Sequence, residues 1–154
     1  MTRFSEQETK LNDCVVVVED DENIRASLAL KLEKAGAPVV ICHDGESGLE
    51  AIELHRPKVM VLDILLPGID GFEVAKKVRE DASFEGAFII FLTALTSAED
   101  EARGLAAGGD VFLKKPESLA GDELLAIVSS VFEGFLRSVE DPETEERTLH
   151  YGRC

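Results

Sequence analysis

Cys14-Val-Val-Val-Val18 restricts this chain more than any other stretch, being an apolar run of strand length with no polar residue at alternate positions. A strand with one wet face alternates apolar and polar side chains. An uninterrupted run fits a strand covered on both faces. Val59-Met-Val-Leu62 and Phe88-Ile-Ile-Phe-Leu92 repeat the pattern. Strands of that kind lie parallel to one another, and parallel neighbours need crossover connections, usually helices.

Helical patterns fill the intervals. Asp21 caps an expected helix to about Ala35, with Ile24, Leu28, Leu32 and Ala35 on one stripe and Gly36 ending it. Pro38–Cys42 reads as a short second strand, and Asp44 caps a helix through about Leu54 that Pro57 keeps from continuing. Strand Val59–Asp63 runs into the turn-rich Pro67-Gly-Ile-Asp-Gly71, and a helix follows from Phe72 to about Glu80 with Phe72, Ala75 and Val78 inward. Phe88–Thr93 is the fourth strand, Ser97–Ala107 the next helix, closed by Gly108 and Gly109, and Val111–Leu113 the fifth strand. Asp122–Val139 is the last helix, with Leu124, Val128, Val131, Phe135 and Val139 on its apolar face. Five alternations predict an α/β fold, a doubly wound five-stranded parallel sheet with helices on both faces.

The domain is expected over 14–139. Residues 1–13 read as a loose polar arm, and residues 140–154, opening Glu-Asp-Pro-Glu-Thr-Glu-Glu, as an acidic tail or the start of a linker. A length of 154 residues suits one domain, and 6% aromatic residues with no Trp make its core mostly aliphatic. With 31 acidic and 16 basic side chains the net charge is −15, which repels phosphate backbones and anionic lipids and argues against direct nucleic acid or membrane binding. No apolar run approaches the ~20 residues that span a bilayer, and there is no signal-peptide pattern. Cys14, Cys42 and Cys154 have no metal spacing; the first two sit in strand runs as small hydrophobes, a usage that fits the cytoplasm. His43, His55 and His150 share no motif and read as surface residues. Phe132 and Phe135 read as core or interface residues.

Chemistry gathers at the strand ends. Strand one ends in Glu19-Asp20-Asp21, strand three in Asp63, strand four in Thr93 and strand five in Lys114-Lys115-Pro116. Parallel strands bring these to one rim, where open α/β sheets bind ligands. Carboxylates so crowded raise one another's pKa unless a cation joins them, and a hard divalent ion with oxygen ligands, Mg²⁺, is the natural partner. Asp63 would then be a carboxylate nucleophile of the kind that forms an aspartyl phosphate. The Lys115 ammonium and Thr93 hydroxyl would help neutralise the phosphoryl charge, and small Ala94 leaves room for a donor.

Val-Val-Glu-Asp-Asp-Glu-Asn-Ile-Arg (17–25), Val-Leu-Asp-Ile-Leu-Leu-Pro-Gly-Ile-Asp-Gly (61–71), Leu-Thr-Ala (92–94) and Phe-Leu-Lys-Lys-Pro (112–116) together resemble the receiver domain of two-component response regulators. The match covers roughly residues 14–137. It implies a flavodoxin-like (βα)5 fold with strand order 2-1-3-4-5. It also implies that Asp20 ligates Mg²⁺ directly, with Glu19 close by or acting through water, and that Asp63 is the phosphoacceptor. The Leu65 carbonyl would be a further ligand, Thr93 and Lys115 the phosphate-sensing pair, and Phe112 the switch aromatic that turns inward with Thr93. Tyr is commoner at that last position, and Phe lacks its hydroxyl. The implied partners are a sensor histidine kinase or histidine phosphotransfer protein, a downstream protein effector and, with phosphorylation, a second copy of the chain. Such a protein is a switch rather than an enzyme. Leu65 and Leu95, two residues past Asp63 and Thr93, flank the path of attacking water and are apolar, so slow self-dephosphorylation is expected.

Other readings differ in testable residues. The residues after Val139 are too few for an output domain, so the output is expected elsewhere, or the chain is expected to be the receiver piece of a larger hybrid regulator. A haloacid-dehalogenase-type phosphatase needs an Asp two residues after its nucleophile, where this chain has Leu65. A flavodoxin-like FMN carrier needs a phosphate loop where this chain has three acids. A scaffold that only binds is separated from a phosphorylated switch by no sequence feature.

Overall fold

The computed structural model describes residues 10–95, 97–115 and 123–132. In chain order the elements are β1 (Asn12–Val18), α1 (Glu22–Lys34), β2 (Val39–Cys42), α2 (Gly45–His55), β3 (Pro57–Leu62) and α3 (Gly71–Glu80). A 3-10 turn (Ala82–Phe84), β4 (Phe88–Thr93), α4 (Ala98–Ala106), β5 (Val111–Lys114) and α5 (Glu123–Val131) follow. The strands pair in parallel in the order β2-β1-β3-β4-β5, the doubly wound flavodoxin-like arrangement.

The unbroken apolar runs are explained by which face each residue serves. Successive strand side chains point to opposite faces. Val15, Val17, Val59, Val61, Ile90 and Leu92 pack with Leu28 and Leu32 of α1 and Leu124 and Val128 of α5. Val16, Val18, Met60, Leu62, Ile89 and Phe91 pack with Ile52 of α2 and Phe72, Ala75 and Val78 of α3. Both sets are essentially excluded from solvent, so no strand position between them tolerates a polar residue.

Helix ends follow their caps. The Asp21, Asp44 and Asp70 side chains accept backbone N–H groups in the first turns of α1, α2 and α3, and Ser97 does so for α4. At the other end of α1, the Gly36 N–H donates to the Glu33 carbonyl and that of Ala37 to Leu32. This is a paired closure that needs the left-handed φ of 94° at Gly36.

Three details depart from the expected boundaries. β1 starts at Asn12, because its N–H and side-chain amide bond the carbonyls of Arg56 and His55 although no apolar side chain is buried there. β3 starts at Pro57, a strand's first residue being where the missing N–H costs least. The 3-10 turn was unforeseen; Asp81 caps it and Phe84 anchors it in the core. Phe132 is core, while Phe135, Val139, His150, Cys154 and the tail lie outside the described residues.

The sheet end opposite the carboxyl rim is tied by Arg79. Its guanidinium donates to the carbonyls of Gly108, Phe84 and Ala87 and pairs with Asp110 at 2.9 Å, linking α3 to the segments that enter β4 and β5.

Burial, with the Asp44 charge adding, pushes the Cys42 thiol up to about 11. The unfolded chain therefore gives up this proton first as pH rises, so folding stability falls between about pH 9 and about pH 11. In thermal melts from about pH 8 to about pH 10.5, wild type is expected to lose more Tm than Cys42→Ala, although the variant starts lower because of the small cavity it leaves.

Candidate functional site

Strand register builds the site. Cys42, Val18, Leu62, Phe91 and Phe112 form one row across the sheet. The ladder continues one residue further: the N–H of Glu19 donates to the Cys42 carbonyl and that of Asp63 to Val18, each at 3.0 Å. The Lys115 N–H donates to the Thr93 carbonyl, also at 3.0 Å. Glu19, Asp63, Thr93 and Lys115 are thereby delivered to the same rim.

Glu19, Asp20 and Asp63 each offer a carboxylate oxygen within 4.8 Å of the others. Glu19 and Asp63 are buried, at 2% and 5% exposure, whereas Asp20 is open to solvent. The Lys115 ammonium sits between the two buried acids, 2.6 Å from Glu19 Oε1 and 2.9 Å from Asp63 Oδ2. The remaining oxygens take backbone donors: Glu19 Oε2 accepts the Asp21 N–H at 3.0 Å, and Asp63 Oδ1 that of Ile64 at 2.7 Å.

Burial raises the Glu19 carboxyl above its ordinary range, partly countered by hydrogen bonds from Lys115 and Asp21 and reinforced by the Asp63 charge. Burial works against the Lys115 charge too, but hydrogen bonds and attraction to Glu19 and Asp63 outweigh it and hold that pKa up. One ammonium among three carboxylates leaves negative charge over. An all-oxygen donor set with one open ligand suits a hard divalent cation.

Thr93 is fully buried at the end of β4, its hydroxyl 3.4 Å from the Leu95 N–H. The Leu65 side chain is exposed while Ile64 and Leu66 are buried, and the Leu65 N–H lies 3.4 Å from Asp63 Oδ1. The loop folds back so tightly that a Cβ at Gly71 would fall 2.2 Å from the Asp63 carbonyl oxygen, which excludes any other residue there. Phe112 stands off the acid cluster. Its half-buried ring lies 6.2 Å from Phe91 and against Gly104 of α4, where a Cβ would come within 3.0 Å of it. Arg25 was not singled out in the sequence; its Nη1 donates to the Glu19 carbonyl at 2.8 Å and the Asp20 carbonyl at 3.4 Å.

A doubly wound sheet with clustered carboxylates, a buried threonine and a lysine at its carboxyl rim defines a flavodoxin-like protein with an acidic site at the strand ends. This chain belongs to the response regulator receiver domain family, which it matches over residues 15–129. It is 36% identical to the transcriptional regulatory protein CseB of Streptomyces avermitilis over 121 residues, 79% of this chain and 49% of that protein. It is 40% identical to the response regulator MprA of Mycobacterium ulcerans over 112 residues, 73% of this chain and 47% of that one. The chain thus spans about half the length of the curated relatives it matches.

Among solved structures, the receiver domain of Francisella response regulator 1452 superposes with a TM-score of 0.72 at 32% identity, covering 79% of this chain and 98% of that one. The chemotaxis protein CheY4 of Vibrio cholerae gives 0.69 at 32%, covering 76% and 96%. The kinship is with two-component receivers, which are signalling switches, and not with haloacid-dehalogenase-type phosphatases.

Charge crowding has a measurable consequence. In chelator-treated protein Asp63→Asn removes one of the two buried carboxylates while leaving Lys115 paired with Glu19. Its Tm is expected to rise by about 2–5 °C over wild type near pH 7, equivalent to about 1 kcal/mol. A lower Tm by calorimetry would show that Lys115 already offsets the repulsion.

Proposed function

We propose that this receiver accepts a phosphoryl group from a phosphohistidine donor onto Asp63 and so switches its protein–protein contacts. The observation that carries the reading is the Asp63 carboxylate, nearly buried, with Lys115 Nζ 2.9 Å from Oδ2 and two further acids within ligand distance. Glu19, Asp20, Asp63 and the Leu65 carbonyl would hold Mg²⁺, with Glu19 close by or acting through water. Bound there, the ion would supply neutralising charge to the phosphoryl oxygens.

An Asp63 carboxylate oxygen forms the new P–O bond while the P–N bond to the donor histidine breaks and its electron pair leaves with the imidazole. Lys115 already stands at Asp63 and need travel little to meet the developing charge. The buried Thr93 hydroxyl then turns to the new phosphoryl oxygen, and Phe112 follows into the space beside it. Without a phenolic hydroxyl, Phe112 signals by burial alone.

The donor is a sensor histidine kinase or a histidine phosphotransfer protein, and the setting is the cytoplasm. The output is a downstream effector, a second copy of the chain, or the remainder of a multidomain regulator of the kind the half-length match to relatives suggests.

Intact mass after incubation with acetyl phosphate and Mg²⁺ tests this directly. One phosphoryl gain is expected, absent from Asp63→Asn and from chelated wild type. A protein that gains nothing under any condition is a binding scaffold instead. The phosphoryl group should also leave slowly, because neither Leu65 nor Leu95 can orient a water. Leu65→Asn should shorten its lifetime several-fold in a chase followed by mass, whereas rapid loss from wild type would remove this part of the reading.

A further inference from the structure

Arg25 lies on α1, one turn past the Asp21 cap, half-buried against the end of β1. Its guanidinium is aimed at main chain: Nη1 donates to the Glu19 carbonyl at 2.8 Å and, more weakly, to the Asp20 carbonyl at 3.4 Å. Those carbonyls belong to the turn that carries two of the three clustered acids. Beyond the ladder bond from the Glu19 N–H to the Cys42 carbonyl, the turn has two side-chain anchors, the Asp21 N–H on Glu19 Oε2 and the Asp21 carboxylate on the N–H groups of Asn23 and Ile24. Neither anchor touches the main chain of Asp20, the acid that is open to solvent.

Two effects of Arg25 on a cation site oppose each other. Its positive charge, close to the acids, weakens attraction for a divalent ion. Its grip on the two carbonyls limits rotation about the peptide units that aim Asp20 and Glu19, and outer groups that orient ligands in this way typically set metal affinity by about 10- to 100-fold. The charge term is blunted at a half-exposed position, where water screens the guanidinium. The orienting term is not, because no other hydrogen bond among the described residues holds the Asp20 main chain in register with Asp63.

We propose that Arg25 is a positioning residue for the cation site, holding the β1–α1 turn so that Asp20 and Glu19 converge on Asp63. This rests on the magnesium reading above and extends it to a residue outside the acid cluster. The two effects predict opposite signs, which makes the role decidable. Removing a residue that acted only by charge would tighten metal binding; removing one that positions the turn would loosen it.

The test is Mn²⁺ binding to the full chain, with free Mn²⁺ followed by its electron paramagnetic resonance signal, for wild type, Arg25→Gln and Arg25→Lys. Arg25→Gln is expected to bind about 10-fold more weakly, with Arg25→Lys between it and wild type. With acetyl phosphate, Arg25→Gln should need correspondingly more Mg²⁺ for half-maximal phosphorylation, yet reach a rate within about twofold of wild type at saturation. A purely structural defect would instead lower the saturating rate and the metal-free Tm together. Unchanged or tighter Mn²⁺ binding in Arg25→Gln overturns the assignment while leaving the magnesium reading intact. Wild-type protein that binds no Mn²⁺ overturns both. Should Arg25→Gln fold poorly, Arg25→Lys decides alone, since it keeps the charge and loses the fork geometry: weaker binding supports positioning, and unchanged binding overturns it.

Discussion

Lys115 stands between Glu19 and Asp63, and the rest of the site is arranged around that bridge. Two carboxylates buried at the end of a parallel sheet would be costly if left to themselves, because each has lost its contact with water. One ammonium satisfies an oxygen of each, and backbone N–H groups satisfy the others. Asp20 is the remainder, exposed to solvent. The site is thus held together by a cation the protein carries itself, and it is still short of positive charge. A divalent cation is the kind of group that would answer that shortage.

The scaffold makes this tolerable by separating stability from function along the strand axis. Midway, both faces of the sheet are aliphatic and closed. At the far end Arg79 satisfies three carbonyls and one carboxylate, a static use of a guanidinium. At the carboxyl rim, Arg25 donates to two carbonyls of a short turn, whose Asp20 stays open to solvent. The aromatic contacts from Phe72 through Phe91 to Phe112 link α3, β4 and β5 beneath Gly104 of α4.

Much of this was legible in the chain. The runs at Val15–Val18, Val59–Leu62 and Phe88–Leu92 fit strands covered on both faces, and the capping Asp21 and Asp44 with Gly36 marked the first two helices. Strand ends carrying Glu19, Asp20, Asp63, Thr93 and Lys115 pointed to a common rim because parallel strands all finish on the same side. Arg25 was illegible for a physical reason. A side chain that bonds main chain leaves no complementary residue to look for, and its partners lie six and five positions back across a helix cap. Arg79 escaped for a related cause, three of its partners being carbonyls and the fourth, Asp110, standing 31 positions away, and the 3-10 turn is too short for periodicity.

The sequence by itself determined the alternation of elements, the two-sided burial of the strands and the residue types that meet at the carboxyl rim, because periodicity, capping and composition act locally. Only the tertiary structure decided which charges touch. That Lys115 binds both Glu19 and Asp63, that Thr93 is wholly buried, and that Phe112 rests on Gly104 all follow from strand register and from the fold-back at Gly71. Those contacts span up to about a hundred positions of chain, and the free energy that selects them comes from packing the whole sheet between its two layers of helices.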